Sequence, residues 1–203
     1  MTPVSATDAL ERLRQGNARF VENVAAANAG HDRRAELVSG QAPFAIILGC
    51  SDSRAPAELV FDQGLGDLFV IRVAGNIIAP SLVGSVEFAA ERFGTKLVVV
   101  MGHSQCGAIL ATLEQVRRPS DAGSPNVRDI VDRVRPAVES VLATRPDLTG
   151  AALIQEAVRA NIRVSVGQLR HGSALLEGLI RREGLMVVGA EYDLETGVVE
   201  FFN

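Results

Sequence analysis

Runs of apolar, mostly β-branched residues recur along the chain, and each is short enough to form a strand. Four of them cover residues 44–49, 68–73, 96–102 and 185–190. Runs without polar alternation are typical of strands that are buried on both faces of a sheet. A fifth segment, residues 198–202, follows a polar turn at residues 193–197, and we predict that it returns as an antiparallel hairpin partner.

Segments with apolar residues at helical spacing lie between these runs. The first helix is predicted to run to Val21, with Thr7 or Asp8 as its N-cap. Changes of periodicity and glycine or proline positions delimit the other predicted helices, which cover residues 31–39, 56–61, 81–93, 105–117, 126–143 and 150–183. We expect the last of these segments to form two helices, broken near His171.

Alternation of strands with helices predicts the α/β class, with a mostly parallel central sheet, an antiparallel edge strand and helices on both faces. A chain of 203 residues suits one domain with a single sizeable core. We expect that domain to span residues 1–203, with residues 1–40 as an N-terminal helical arm and residues 41–203 as the α/β core. Ligands of such sheets collect at the carboxyl ends of the strands, near a change in strand order.

Composition and charge exclude several classes of function. The formal net charge is −4 and the pI is about 5.4, so a broad nucleic-acid surface is not expected. No apolar stretch reaches the roughly 18 residues that a membrane-spanning helix needs. Residues 1–14 are polar and do not resemble a secretory signal, and two cysteines do not make a disulfide framework. A reducing, cytoplasmic location is therefore expected.

Two short polar segments that follow apolar runs carry the metal-binding chemistry of the chain. Cys50 comes directly after the first run, and His103 and Cys106 come directly after the third. Two thiolates and one imidazole are typical donors of a zinc site with an open fourth position. Asp52 is a further oxygen donor that could close the set. The alternative is that both cysteines are small buried apolar residues.

The motifs around these residues resemble those of the β-class carbonic anhydrases. The sequence is Cys-Ser-Asp-Ser-Arg at residues 50–54 and Gly-His-Ser-Gln-Cys-Gly at residues 102–107. Residues 61–69, 72–76 and 84–88 are also similar to family motifs, and the resemblance covers essentially the whole chain. It implies that Cys50, His103 and Cys106 bind zinc. It also implies reversible hydration of carbon dioxide to bicarbonate and a proton by zinc-bound hydroxide.

The resemblance assigns two states to Asp52 and Arg54. In the open state, Arg54 pairs with Asp52 and holds it off the metal, so that Asp52 orients the hydroxide. In the closed state, Asp52 takes the fourth zinc position and excludes water. A carboxylate and hydroxide then compete for one site, so we expect activity to be low near neutral pH and to rise in mildly alkaline solution. An ordinary loop ion pair is the alternative.

The resemblance also implies a set of substrate-binding residues. Gln41 matches a glutamine that hydrogen-bonds bicarbonate, and the backbone N–H of Gly107 matches a second donor at a helix start. Phe69 and Phe88 match aromatic positions that line an apolar carbon dioxide pocket, although core packing explains them equally well. Some bacterial members bind inhibitory bicarbonate with a tryptophan, an arginine and a tyrosine. Arg72 and Tyr192 match that pocket, but the tryptophan position is Ile47, so the pocket is not expected here.

Members of this family assemble from dimers, which implies a homodimer or a dimer of dimers for this chain. Their N-terminal helix lies over the partner subunit. The apolar stripe of Ala9, Leu13 and Phe20 would suit such a contact, or it could pack on its own subunit.

Three other functions stay open at this point. One is a related hydrolase of carbonyl sulfide or carbon disulfide with the same ligand set, and another is a non-catalytic zinc-binding structural or sensing domain with Asp52 as a permanent ligand. The third, a nucleotide-binding α/β domain, ranks last because the sequence has no phosphate loop of the glycine-lysine type.

Overall fold

A computed structural model describes residues 3–24, 33–119 and 124–202 of the chain. Its five strands form one sheet in the order β2-β1-β3-β4-β5. Their bounds are Ala45–Gly49 for β1, Leu68–Arg72 for β2, Leu97–His103 for β3, Met186–Tyr192 for β4 and Val199–Phe202 for β5. Strands β1 to β4 are parallel to one another, and β5 pairs antiparallel with β4. The predicted fold class is confirmed.

Helices cover both faces of the sheet and account for most of the connections. They are α1 Ala6–Val21, α2 Arg33–Glu36, α3 Ala57–Val60, α4 Pro80–Phe93, α5 Gly107–Arg117, α6 Pro125–Thr144, α7 Gly150–His171 and α8 Ala174–Glu183. A 3₁₀ turn at Leu37–Ser39 follows α2, and another at Ala74–Asn76 comes after β2. The predicted break near His171 is confirmed. None of the described helices combines the length and the apolar character that crossing a bilayer requires.

The start of α1 differs from the prediction. Ser5, not Thr7 or Asp8, is the N-cap, and its hydroxyl accepts a hydrogen bond from the backbone N–H of Asp8 at 3.1 Å. Ser5 satisfies one of the free N–H groups of the first turn, so the helix begins two to three residues earlier than predicted. Of the predicted helix over residues 31–39, residues 31–32 lie outside the described part.

The two faces of the sheet bury separate apolar clusters, because successive strand residues point to opposite sides. Ile46 and Leu48 of β1 lie in the cluster that α4 to α8 cover. Ala45 and Ile47 lie in the cluster on the other face, which includes residues of α1 and α3. This burial on both faces explains why the strands are apolar throughout.

Helix α1 packs against the sheet of its own chain. Ala9 and Leu13 are fully buried in the same cluster as Ile47, and the ring of Phe20 meets the ring of Tyr192 edge-on at 6.3 Å. The apolar stripe on this helix is therefore covered within the subunit. An arm that uses this stripe to lie over a partner does not fit the structure.

The chain changes direction across the sheet at β1. It passes from β1 to β2 on one side and then returns to β3 on the other, so β1 and β3 flank a change in strand order. Cys50 follows β1 and His103 ends β3, which places both residues at the carboxyl edge where ligands of such sheets bind.

Candidate metal centre

Three buried side chains meet at the carboxyl ends of β1 and β3. Ligand atoms of Cys50, His103 and Cys106 all lie within 4.8 Å of one another, and this is a group in the described residues that could hold a metal ion. Between His103 and Cys106 the backbone turns sharply at Gln105, whose φ of 55° lies in the left-handed region. The turn brings the imidazole and the second thiol together before Gly107 begins α5.

The ring orientation of His103 leaves one nitrogen for a ligand. Its Nδ1 lies 2.9 Å from the carbonyl oxygen of Ser104, so this nitrogen carries the proton and donates it. Its Nε2 is buried and has no hydrogen-bond partner among the described residues. Ser104 is itself held in place, since its hydroxyl accepts from the backbone N–H of Leu194 at 2.9 Å. A metal-binding imidazole is oriented in this way by a backbone carbonyl.

The two cysteine side chains shift each other's pKa in opposite directions. A hydrogen bond from Cys106 lowers the pKa of Cys50, and the backbone N–H of Gly75 lowers it further. The same hydrogen bond and burial raise the pKa of Cys106. Burial lowers the pKa of His103, but the Cys50 thiolate, the Ser104 carbonyl and the Asp52 carboxylate together raise it by more. Negative charge is therefore favoured on this pair of sulfurs.

These residues fit a zinc ion. Two sulfurs and one imidazole nitrogen match the donors that zinc prefers, and the unpartnered Nε2 of His103 faces the site that they surround. A structural zinc site has four protein ligands as a rule, whereas this cluster supplies three, which leaves room for a further ligand.

Asp52 and Arg54 form an ion pair beside the cluster of Cys50, His103 and Cys106. The guanidinium donates to Oδ1 of Asp52 at 2.9 Å and to Oδ2 at 2.7 Å. Oδ2 also lies 3.7 Å from Nε2 of His103. The hydrogen bonds from Arg54 hold the pKa of Asp52 well below its usual range. The carboxylate is therefore charged, and it is held beside the cluster by Arg54.

Arg72 fixes the backbone of the same loop. Its guanidinium donates to the carbonyl oxygen of Cys50 at 3.0 Å and to that of Asp52 at 2.6 Å. Ile47 and Tyr192 are buried in the cluster on the other face of the sheet, which includes α1. Arg72 thus binds main-chain carbonyl groups of the Cys50 loop.

Three of the predicted substrate-binding residues do not reach this cluster within the chain. Gln41 precedes β1, whereas Cys50 follows it. Phe69 pairs with Ile46, four residues before Cys50, which corresponds to about 13 Å along the strand. Phe69 forms an aromatic group with Phe88 and Phe93, at ring distances of 5.8 to 6.3 Å.

Gly107 is the predicted substrate-binding residue that does lie beside the cluster, since it directly follows Cys106. A side chain at this position would meet no atom within 4 Å. The space next to the first turn of α5 is therefore open.

Two sets of positioning groups were missing from the sequence-based prediction. One is the guanidinium of Arg72 on the Cys50 loop. The other is a polar pair on α7, Asn161 and Ser165, which binds the turn next to Cys50. The signal for the second was an interruption of the apolar face of α7 by two polar residues four positions apart.

The comparisons with known proteins agree with this geometry. A family profile described as carbonic anhydrase matches residues 45–199. Carbonic anhydrase 2 of Mycobacterium tuberculosis is 40% identical over 200 residues, which cover 96% of this chain and 90% of that protein. A carbonic anhydrase of Mycolicibacterium smegmatis is 40% identical over 199 residues, with coverage of 98% and 92%.

Solved structures of the β class have the same fold. The β-carbonic anhydrase CcaA aligns with a TM-score of 0.78 at 30% identity, over 96% of this chain and 95% of that chain. The Coccomyxa β-carbonic anhydrase, solved in complex with acetazolamide, aligns with a TM-score of 0.75 at 26% identity, over 94% and 85%. With the buried Cys-His-Cys cluster, these matches establish that the chain belongs to the β-carbonic anhydrases, a family of zinc-dependent enzymes.

Proposed function

We propose that this chain binds one zinc ion through Cys50, His103 and Cys106 and catalyses the reversible hydration of carbon dioxide to bicarbonate and a proton. The observation that carries the proposal is the convergence of the three ligand atoms within 4.8 Å at the carboxyl ends of β1 and β3. Membership of the family supports the same reaction.

Bound zinc supplies a nucleophile near neutral pH, because it lowers the pKa of a water in its open coordination position. Hydrogen bonds from other residues of the protein hold the proposed ligands in position. Ser104 fixes the tautomer of His103, and Arg72 fixes the Cys50 loop. Burial of the ligands keeps bulk water away from the sulfurs, which strengthens the electrostatic interactions at the site.

Asp52 and Arg54 are proposed to control the fourth metal position. The pair described here corresponds to the open state, in which both carboxylate oxygens bind Arg54. In this state Asp52 would accept a hydrogen bond from the nucleophile and orient it toward the carbon atom of carbon dioxide. Loss of the Arg54 contacts would free the carboxylate to become the fourth ligand, and the 3.7 Å between Oδ2 and His103 Nε2 supports this short movement.

A second copy of the chain is proposed to complete the substrate pocket. Gln41 lines a cavity of about 800 Å³ and precedes β1, and Phe69 pairs with Ile46 near the amino end of β1, whereas the ligand cluster lies at the carboxyl end. Phe88 is 55% exposed although it is a large apolar side chain. A homodimer that places this surface of one subunit against the ligand cluster of the other would cover Phe88 and bring Gln41 to the substrate. A dimer of dimers is compatible with this arrangement.

Both cysteines are free thiols, and both are needed as ligands. Oxidation of these thiols would abolish metal binding, so we propose that the protein works in a reducing compartment such as the cytoplasm.

Metal analysis combined with stopped-flow carbon dioxide hydration tests the proposed function. The purified protein is expected to hold one zinc per chain and to be active. Cys50→Ala is expected to lose zinc and activity, because only two protein ligands remain. Ser53→Ala is the matched control, since Ser53 is an exposed residue of the same loop.

Two other results would overturn the proposal. Stoichiometric zinc without hydration at any pH would indicate a structural or sensing domain. Faster turnover of carbonyl sulfide than of carbon dioxide would indicate the related hydrolase.

A further inference from the structure

Two polar side chains interrupt the buried face of α7. Asn161 and Ser165 are each only 2% exposed, and they lie one helical turn apart. Their neighbours on this face, including Val158 and Ile162, belong to the larger apolar cluster. Burying a polar group costs free energy unless it forms hydrogen bonds, so such a pair requires specific partners.

The partners are two consecutive carbonyl groups of one turn. Asn161 Nδ2 donates to the carbonyl oxygen of Gly75 at 2.8 Å, and Ser165 Oγ donates to that of Asn76 at 3.0 Å. These acceptors lie 86 and 89 residues earlier in the chain. Helix α7 therefore holds the 3₁₀ turn Ala74–Asn76 by its backbone, independently of the side chains of that turn.

This turn has a backbone conformation that is not favoured on its own. Gly75 has a φ of 72° and Asn76 has a φ of 43°, so two successive residues are left-handed. A Cβ on Gly75 would come within 2.9 Å of the Ala108 side chain, which excludes other residues there. The turn starts from a fixed point, because the N–H of Val73 donates to the carbonyl oxygen of Gly49 at 3.0 Å.

The result of this conformation is a hydrogen bond to a proposed metal ligand. The backbone N–H of Gly75 points at Sγ of Cys50, at 3.4 Å. The N–H dipole stabilises negative charge on the sulfur and fixes the direction in which the sulfur points. Both effects favour a thiolate in a metal site.

We propose that Asn161 and Ser165 are positioning residues of the metal centre, which hold the Gly75 N–H against the Cys50 sulfur through the backbone of the turn. The inference rests on the proposed zinc site, because it gives these residues a purpose in metal binding and not only in folding. They contact neither the metal ligands nor the substrate directly. Their side chains bind the carbonyl groups of Gly75 and Asn76, and the N–H of Gly75 binds the Cys50 sulfur.

Zinc affinity separates this role from a purely structural one. Wild-type protein, Asn161→Ala and Ser165→Ala are each titrated against a chromogenic zinc chelator, and thermal unfolding of the same samples is recorded. Outer-sphere partners of a metal ligand typically change metal affinity by about 10- to 100-fold. We expect both variants to bind zinc at least about tenfold more weakly, at the lower end of that range.

Val166→Ala is the matched control. Val166 is buried on the same helix and in the same cluster, but its side chain forms no hydrogen bond. The variant is expected to unfold at lower temperature with unchanged zinc affinity. Ser165→Thr keeps the hydroxyl group and is expected to bind zinc like the wild type.

Cobalt substitution adds a readout of the sulfur itself. The thiolate-to-cobalt charge-transfer band is expected to shift in Ser165→Ala, a substitution small enough to leave the fold intact. The inference is overturned if both alanine variants match the wild type in zinc affinity and in the cobalt spectrum while their unfolding temperatures fall as in Val166→Ala. If the wild type itself binds no zinc, the proposed function fails as well. If the wild type binds zinc and the variants bind it equally well, only the positioning role fails, so the two failures are distinguishable.

Discussion

The carboxylate of Asp52 binds the guanidinium of Arg54 with both oxygens, and one of these oxygens lies 3.7 Å from Nε2 of His103. A bidentate pair of this kind fixes the direction of the carboxylate as well as its charge. Half of the Arg54 side chain is exposed, so the pair contributes little to stability. Its importance lies in the position that it gives to Asp52 at the mouth of the ligand cluster.

Substitution of Arg54 tests this position. In Arg54→Ala the carboxylate loses both side-chain contacts and becomes free to bind the metal. We expect kcat/KM for carbon dioxide hydration to fall by about 10- to 100-fold, as for other partners that orient groups at a metal centre. Stopped-flow kinetics measure this loss, and metal analysis is expected to find the normal zinc content.

Arg54→Lys is the companion variant. Lysine keeps the positive charge but does not form the planar, two-pronged contact, so partial activity is expected. If Arg54→Ala keeps the full kcat/KM, the pair is an ordinary loop salt bridge and the proposed control of the fourth metal position is wrong.

If Asp52 and hydroxide compete for one position of the bound metal, as proposed, activity should rise between about pH 6.5 and pH 9. The direction follows from competition and not from titration of Asp52. Hydrogen bonds from Arg54 lower the pKa of that carboxyl, so it titrates below its usual value of about 3.9 and stays ionised throughout this range. A flat profile of kcat/KM against pH, measured at constant ionic strength, would contradict the two-state proposal.

The parts of the site that the sequence predicts are those that sit at the ends of apolar runs. Cys50 and His103 follow continuous apolar strands, and their meeting follows from the rule that parallel strands end at one edge. Asn161 and Ser165 could not be assigned in this way, because their partners are backbone carbonyls almost ninety residues away. Such contacts depend on how α7 crosses the sheet, which periodicity alone does not determine.

The sequence did not determine two features of α1, namely its N-cap residue and the surface on which its apolar stripe packs. Thr7 and Asp8 are both acceptable N-caps by residue type, but Ser5 has the extended backbone and the side-chain hydrogen bond that the cap requires. The apolar stripe of α1 likewise fits its own sheet or a partner equally well. Only the burial of Ala9 and Leu13 within the chain distinguishes them.

A heterodimer of two defective subunits tests whether the partner supplies Gln41 and Phe88. One subunit carries Cys50→Ala, and the other carries Gln41→Ala with Phe88→Ala. In a two-fold dimer with shared sites, one of the two sites then has every residue intact, so the purified heterodimer should recover about half of the wild-type activity.

Each homodimer serves as the control and is expected to be nearly inactive. If Gln41 and Phe88 act on the cluster of their own subunit, neither site of the heterodimer is complete. Its activity would then not exceed that of the double-variant homodimer, and the proposed shared pocket would be rejected.

The packing of α1 predicts the effect of truncating Leu13. This side chain is fully buried against the sheet of its own chain, and Leu→Ala changes in such cores cost about 2–5 kcal/mol of unfolding free energy. Leu59→Ala makes the same chemical change on α3 at a side chain that is 66% exposed, and should cost less than about 0.5 kcal/mol. Urea unfolding measures both values, and sedimentation velocity measures dissociation of the proposed homodimer. Because the helix packs within its subunit, Leu13→Ala should destabilise the fold without weakening the dimer, whereas a weakened dimer would mean that α1 packs on the partner.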